Sequence, residues 1–143
     1  MAKIEKSIFI NAPVEKVFAF MVEPTNMPEI WPSMIEIKNM QPLPNGLNCY
    51  DWVYKMAGMR FEGHSESIEI VPNQRVVTRG EGGIPNTFIW TYQPEETGTR
   101  ITVNADYNLP GALLGKLAEP IIHKMNEHEG ETILANLKAL MEG

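Results

Sequence analysis

Residues 111–141 read GALLGKLAEPIIHKMNEHEGETILANLKALM, the one stretch of the chain long and regular enough for a helix of many turns. Leu114, Ala118, Ile121, Ile122 and Met125 recur at spacings of three and four, which places them on a single helical face. Lys116, Glu119, His123, Lys124 and Glu127 fall towards the opposite side. Beyond Glu129 and Gly130 the apolar positions become Ile133, Leu134, Leu137, Leu140 and Met141, a stripe rotated by roughly a quarter to a third of a turn at about 100° per residue. Pro120 removes a backbone donor and Gly130 costs about 1 kcal/mol relative to alanine, so the spacing predicts one long, bent helix. A one-sided helix after a run of strands needs a concave sheet to lie across.

The chain before it reads as strands separated by turns. Residues 3–10 form the first, ended by Asn11-Ala12-Pro13. Pro13 and Glu15 suit the first turn of a helix, where a fixed φ and the positive dipole end favour proline and an acid. Val14, Val17, Phe18 and Met21 give that helix its apolar stripe, and Pro24 stops it. The proline-rich residues 24–32 have room for one or two helical turns. Strands follow over residues 34–40, 48–56, 59–66, 75–79, 87–92 and 100–107, with Asn45-Gly46 the strongest turn signal between them. Ile68 and Ile70 have the opposite parity to Phe61, Gly63 and Ser65. A half-buried strand does not tolerate a one-residue slip, so a bulge is expected near Ser65 to Ser67. Short turns imply an antiparallel meander and segregated helices an α+β fold. The expectation is a curved antiparallel sheet of six or seven strands wrapped round the C-terminal helix, with one or two short helices after the first strand, in a single domain over residues 1–143.

With 143 residues, 43% hydrophobic and 21% charged, the chain has globular composition and the length to bury about two-thirds of its unfolded surface. A net charge of −6 without a basic cluster argues against a nucleic-acid partner. No apolar run is long enough for stable membrane insertion, and the opening Met1-Ala2-Lys3-Ile4-Glu5 lacks the core of a signal peptide. The lone Cys49 cannot form an internal disulfide, which fits a reducing, cytoplasmic setting. Nine methionines supply thioethers that fill irregular space.

Phe9-Ile10-Asn11-Ala12-Pro13-Val14-Glu15-Lys16-Val17-Phe18, followed by Pro24-Thr25-Asn26-Met27-Pro28-Glu29-Ile30-Trp31-Pro32, resembles the opening of the START-like (SRPBCC) superfamily of polyketide cyclase/dehydrase type. Tyr92-Gln93-Pro94 with Gly98-Thr99-Arg100-Ile101-Thr102-Val103 looks like its penultimate hairpin, and the element order matches over the whole chain. The resemblance implies a helix-grip architecture with a deep apolar cavity between sheet and helix. Members include lipid carriers, hormone receptors, aromatase/cyclases, chaperone cofactors and oxygenase domains, so the fold does not choose a function.

On that architecture Tyr50, Trp52, Tyr54, Met56, Phe61, Ser65, Phe88, Trp90, Tyr107, Ile121, Ile122 and Met125 are the candidate lining of a pocket for a flat or aliphatic ligand. Packed against one another, the same rings would be plain core. Gly63 on the inner face is expected to leave space beside Phe61 and Ser65. His123, Glu127 and His128 lack the spacing of a zincin motif and read as a solvated face, so no metal or cofactor is expected. Glu129, Thr132 and Asn136 continue the first apolar stripe; a buried Glu129 would suit acid–base work, but the bend near Gly130 is expected to turn it out to water. His64, beside Glu62 and Glu66, is expected on the exposed face, and Cys49 lacks the basic neighbour or helix start of a nucleophile. Cyclases of the superfamily orient polyketides with pocket arginines and tyrosines, and only Arg75 and Arg79 could reach inward. No catalytic residue is assigned. The function expected is non-catalytic binding or carriage of a small hydrophobic ligand (lipid, quinone or polycyclic aromatic) in a cavity above about 300 Å³. The alternatives are a cyclase/dehydratase-like enzyme using Glu129, Tyr54 or Tyr107, and a protein-interaction module of the chaperone-cofactor kind. A homodimer is left open.

Overall fold

The computed structural model describes residues 2–143; Met1 lies outside the described residues. The elements run β1 (Ala2–Ile10), α1 (Val14–Met21), a 3₁₀ turn (Pro24–Asn26), α2 (Met27–Ile30), β2 (Met34–Pro42), a second 3₁₀ turn (Pro44–Gly46), β3 (Asn48–Met56), β4 (Met59–Val71), β5 (Arg75–Gly82), β6 (Asn86–Glu95), β7 (Gly98–Tyr107), α3 (Gly111–Leu114) and α4 (Glu119–Glu142). The seven strands form one antiparallel sheet in the order β1-β7-β6-β5-β4-β3-β2. Strands β2 to β7 are a meander, each beside its predecessor. β1 joins the far margin by pairing with β7 from Ala2↔Tyr107 to Ile10↔Thr99.

Alternation sets the faces. On β7 Ile101, Val103, Ala105 and Tyr107 are buried on the hollow side, and the residues between them look outward. The bulge in β4 sits slightly later than expected: Ser67 pairs with Thr78 and Glu69 with Val77, so Ile68 is the extra residue. That insertion keeps Ser65, Ser67 and Ile70 all on the hollow face and leaves Ile68 exposed. β2 is irregular, with register shifts between Met34 and Glu36 and between Lys38 and Gln41; Asn39 takes a left-handed φ of 55° within it.

The expected single C-terminal helix is two. α3 ends at Leu114 and α4 begins at Glu119, because Pro120 lies in the first turn of α4, where a missing N–H costs nothing. Gly130 does not interrupt α4. Its hydrogen instead faces β1, where an added Cβ would lie 3.5 Å from Lys6 Cγ and 3.7 Å from Ile4 Cγ2. The C-terminal end of α4 is tied to the β1–α1 corner. Glu142 accepts from the Asn11 backbone N–H at 2.7 Å, while Lys138 Nζ donates to the Phe9 carbonyl at 2.9 Å and Lys16 Nζ to the Met141 carbonyl at 2.7 Å.

Two apolar cores result. One joins α1 and α2 to Ile133, Leu134, Leu137 and Met141 of α4, with Trp90, Tyr92, Ile101 and Val103 beneath. The other gathers Ile4, Trp52, Met56, Ile84, Tyr107, Leu113 and Ile122. The space expected beside Gly63 is taken by the Trp52 indole: a Cβ on Gly63 would collide with Trp52 Cζ2 and with the Glu81 carbonyl oxygen. Two glycine-to-alanine changes should therefore move stability in opposite directions. Gly63→Ala overpacks against an indole and backbone and lowers stability by about 1–3 kcal/mol. Gly130→Ala meets only ordinary contacts and raises it by about 0.5–1 kcal/mol through helix propensity. Urea unfolding of both variants checks the pair.

Candidate functional site

Between the two cores α4 meets only the β1 margin of the sheet, and the space left over the middle strands is an apolar cavity. Its wall is drawn from α1 and the following segment (Met21, Pro24, Met27, Trp31, Met34), the inner faces of β3 to β7, and Asn126, Glu129, Gly130 and Ile133 of α4. The free interior amounts to about 130 Å³. That is narrower than the roughly 300 Å³ at which drug-sized pockets begin, because the 27–34 segment folds inward and lays Trp31 across the hollow face. Trp31 meets Tyr54, Phe88 and Trp90 edge-on, at ring-centroid separations of 5.9, 5.3 and 6.3 Å. Phe88 stacks on Trp90 at 6.1 Å. Such contacts contribute about 0.5–1.5 kcal/mol each beyond their burial.

The polar groups of the wall are arranged by register. Tyr50 pairs with Ser65, Ser65 with Gly80, Gly80 with Asn86 and Asn86 with Tyr107. Because side chains alternate strictly along each strand, residues in one cross-strand row point the same way, and a belt of hydroxyl and amide groups crosses the hollow face. Trp52 Nε1 donates to Ser65 Oγ at 2.9 Å and Trp31 Nε1 to the Tyr54 hydroxyl at 3.1 Å. Asn126 Nδ2 donates to the Tyr107 hydroxyl at 2.9 Å, and Asn86 Nδ2 to the Ile84 carbonyl at 2.7 Å. Above the belt, Glu129 Oε1 accepts from the Ser33 backbone N–H at 3.0 Å.

The tyrosines titrate late. Burial pushes Tyr50 up to about 12 against the opposing hydrogen bond from Ser65. Tyr54 is raised by burial, with the Glu129 charge adding to it, and Tyr92 by burial alone. Tyr107 is raised by burial, partly offset by its bond to Asn126.

Of the residues expected to line a pocket, Tyr50, Trp52, Tyr54, Met56, Ser65, Phe88, Trp90 and Tyr107 are in the cavity wall. Ile121 and Met125 are not: they are 52% and 44% exposed, since the inward face of α4 runs through Ile122, Asn126, Glu129, Ile133 and Leu137, and both lie about 80–120° from its centre. Leu114, on the separate helix α3, is also exposed, and its neighbour Leu113 is buried instead. Ile122 is buried in the core beside Tyr107, and Phe61 packs on that core near the β3–β4 turn, beyond the end of the cavity. Glu129 does not turn out to water; it lines the cavity, because α4 stays helical through Gly130.

Arg75 and Arg79 are exposed, and Arg75 pairs with Glu69 at 2.6 Å. Cys49 is buried, and His64 is exposed and bonded to Asp51 at 2.8 Å. His123 and Glu127 stand 3.9 Å apart on the outer side of α4, and among the described residues no three His, Cys, Asp or Glu side chains gather as a metal site would require. Sequence reasoning does not find Trp31, Asn86, Asn126 or the methionines at 21, 27 and 34. A tryptophan followed by Pro32 and preceded by Pro28 in a short linker is the signal that could have found the first of them.

A curved antiparallel sheet gripping a long helix over an aromatic-lined cavity defines a helix-grip protein. The profile of the family described as polyketide cyclase / dehydrase and lipid transport matches residues 1–142, and the chain belongs to that family. A solved structure from Thermus thermophilus is similar over 96% of this chain and 95% of that one, with 20% identity and a TM-score of 0.76. The Zhui aromatase/cyclase from a Streptomyces strain superposes over 99% and 93% of the two chains, with 14% identity and a TM-score of 0.76. The di-domain ARO/CYC StfQ of the steffimycin biosynthetic pathway matches over 98% of this chain and 50% of that chain, with 17% identity and a TM-score of 0.77. No curated protein sequence matches the chain. Among the described residues no helix is long and apolar enough to cross a membrane.

All four tyrosines of the chain are raised, which fixes an alkaline limit. A phenol whose folded pKa exceeds its unfolded value of about 10 contributes stability that is complete below about pH 10 and is lost as pH climbs towards the folded values. Absorbance titration should show less tyrosinate at about pH 10 than the half-ionisation of free tyrosine, and the buried phenols should ionise together with unfolding.

Proposed function

We propose that the chain binds a small hydrophobic ligand in the cavity between sheet and helix and carries or sequesters it without chemistry. The observation carrying this reading is the wall itself, built of tryptophan, phenylalanine, tyrosine and methionine and closed by one charged side chain, Glu129. An apolar cavity of about 150 Å³ accepts benzene, so the free interior of about 130 Å³ is close to the size of a one-ring guest. Quinones, polycyclic aromatics or acyl chains need the wall to yield. Met21, Met27, Met34 and Met56 are unbranched and adaptable, and three of them lie on or beside the short helical segments.

The family's cyclase activity supports a second reading, and the inward Glu129 is the observation that favours it. A carboxylate whose charge acts on the Tyr54 phenol can take a proton from a bound polyketide-like substrate. In that reading Glu129→Gln abolishes turnover at unchanged ligand affinity.

All three tryptophans, Trp31, Trp52 and Trp90, line the cavity, so the intrinsic fluorescence of the protein reports on its contents. Titration with a quinone or a naphthol should quench the emission saturably, and Trp31→Phe should reduce the change. An emission spectrum indifferent to every apolar ligand tried would remove the binding reading.

A further inference from the structure

The cavity is one-sided in charge. Of the three carboxamides of the wall, Asn86 donates to the Ile84 carbonyl, Asn126 donates to the Tyr107 hydroxyl, and Asn48 accepts from the Ser67 hydroxyl. The Trp31 and Trp52 indole N–H groups are likewise spent, on Tyr54 and Ser65. Glu129 uses Oε1 on the Ser33 N–H and keeps a second oxygen for a guest. Among the described residues no lysine, arginine or histidine stands in the wall. The exposed Arg75 and Arg79 point away from it, and Lys6, beside Gly130, is engaged outside by Glu131 at 2.9 Å.

From this geometry we infer that the cavity selects apolar molecules bearing a hydroxyl or ammonium donor and rejects those bearing a carboxylate or phosphate. The inference rests on the binding reading above and names the ligand class of that site. A guest anion would be buried beside the Glu129 carboxylate without a compensating cation, the costliest arrangement a low-dielectric site offers. Neutral hydroxyls of Tyr50, Ser65 or Tyr107 could hydrogen-bond such an anion but could not neutralise it. A donor on the guest meets the Glu129 carboxylate, already held in place through one oxygen by the Ser33 N–H, so the protein need not rearrange to receive it. Fatty acids and acyl phosphates are therefore poor guests; alcohols, phenols and amines of similar apolar bulk are good ones.

Calorimetric titration of the whole protein at about pH 7 with toluene, benzyl alcohol, benzylamine and benzoate separates this inference from the reading beneath it. All four share one ring and are close to the free interior in size. Toluene should bind, benzyl alcohol and benzylammonium should bind at least as tightly, and benzoate should bind at least about tenfold more weakly than benzyl alcohol. In Glu129→Gln, which keeps an oxygen for the Ser33 N–H, benzylammonium should lose about tenfold while toluene is unchanged; a thermal melt matched to wild type shows that the variant is folded. Benzoate binding as tightly as benzyl alcohol overturns the inference while leaving the cavity reading intact, and the wild-type series alone decides this. Benzylammonium affinity unchanged in a folded variant also overturns it. If not even toluene binds, the cavity reading falls and takes the inference with it.

Discussion

α4 leans on the margin of the sheet rather than across its middle. It packs chiefly along β1 and against α2, with Gly130 set close against Lys6 and Ile4. One helix cannot cover the concave face of a sheet seven strands wide. Where it is anchored, the apolar side chains close into core: Ile122 at one end, Leu134 and Leu137 at the other, all essentially inaccessible. Each such side chain contributes about 1.5–3 kcal/mol by burial, enough to hold both ends of the helix while the middle strands stay uncovered. The cavity is the span between the two anchorages.

Holding that span open without a guest requires the wall to satisfy its own polar groups, since an orphaned donor in a dry cavity costs about 1–3 kcal/mol. Trp52 with Ser65, Trp31 with Tyr54 and Asn126 with Tyr107 do so pairwise, and among the described residues no buried side-chain nitrogen or oxygen lacks a partner. Each pair joins different elements, so the same bonds that quiet the wall fix the strands, the 27–34 segment and α4 relative to one another. Asn136, which donates to the Ile30 carbonyl at 3.0 Å, adds a further tie between α4 and α2.

Most of the architecture is legible in the sequence because it depends on local rules. Period-two alternation marks the strands, turn residues mark their joints, and the parity change between Ser65 and Ile70 marks the bulge. The aromatic strand residues of the cavity wall follow from the same alternation. The helix residues do not. Periodicity reads only apolar positions, and the inward face of α4 carries Asn126 and Glu129 in its middle, where it fronts the cavity rather than core. Deprived of those two positions, the apolar pattern drifts between stripes and draws Ile121 and Met125 inward in their place. The depth of the cavity is illegible for another reason. It is set by Trp31, whose position depends on how the 27–34 segment folds back, and that is a matter of tertiary contact with Tyr54, Phe88 and Trp90.

The irregular course of β2 has a consequence for the exposed border of the sheet. This strand is the outer border of the sheet, and it shows Ile35 and Met40 to solvent, the makings of a template on which another chain could lay a strand. Two slips of register, the left-handed kink at Asn39, charged Glu36 and Lys38, and a proline at position 42 break the straight run of backbone donors and acceptors that such templating requires. The border is ragged, and a ragged border is a poor template for a further strand.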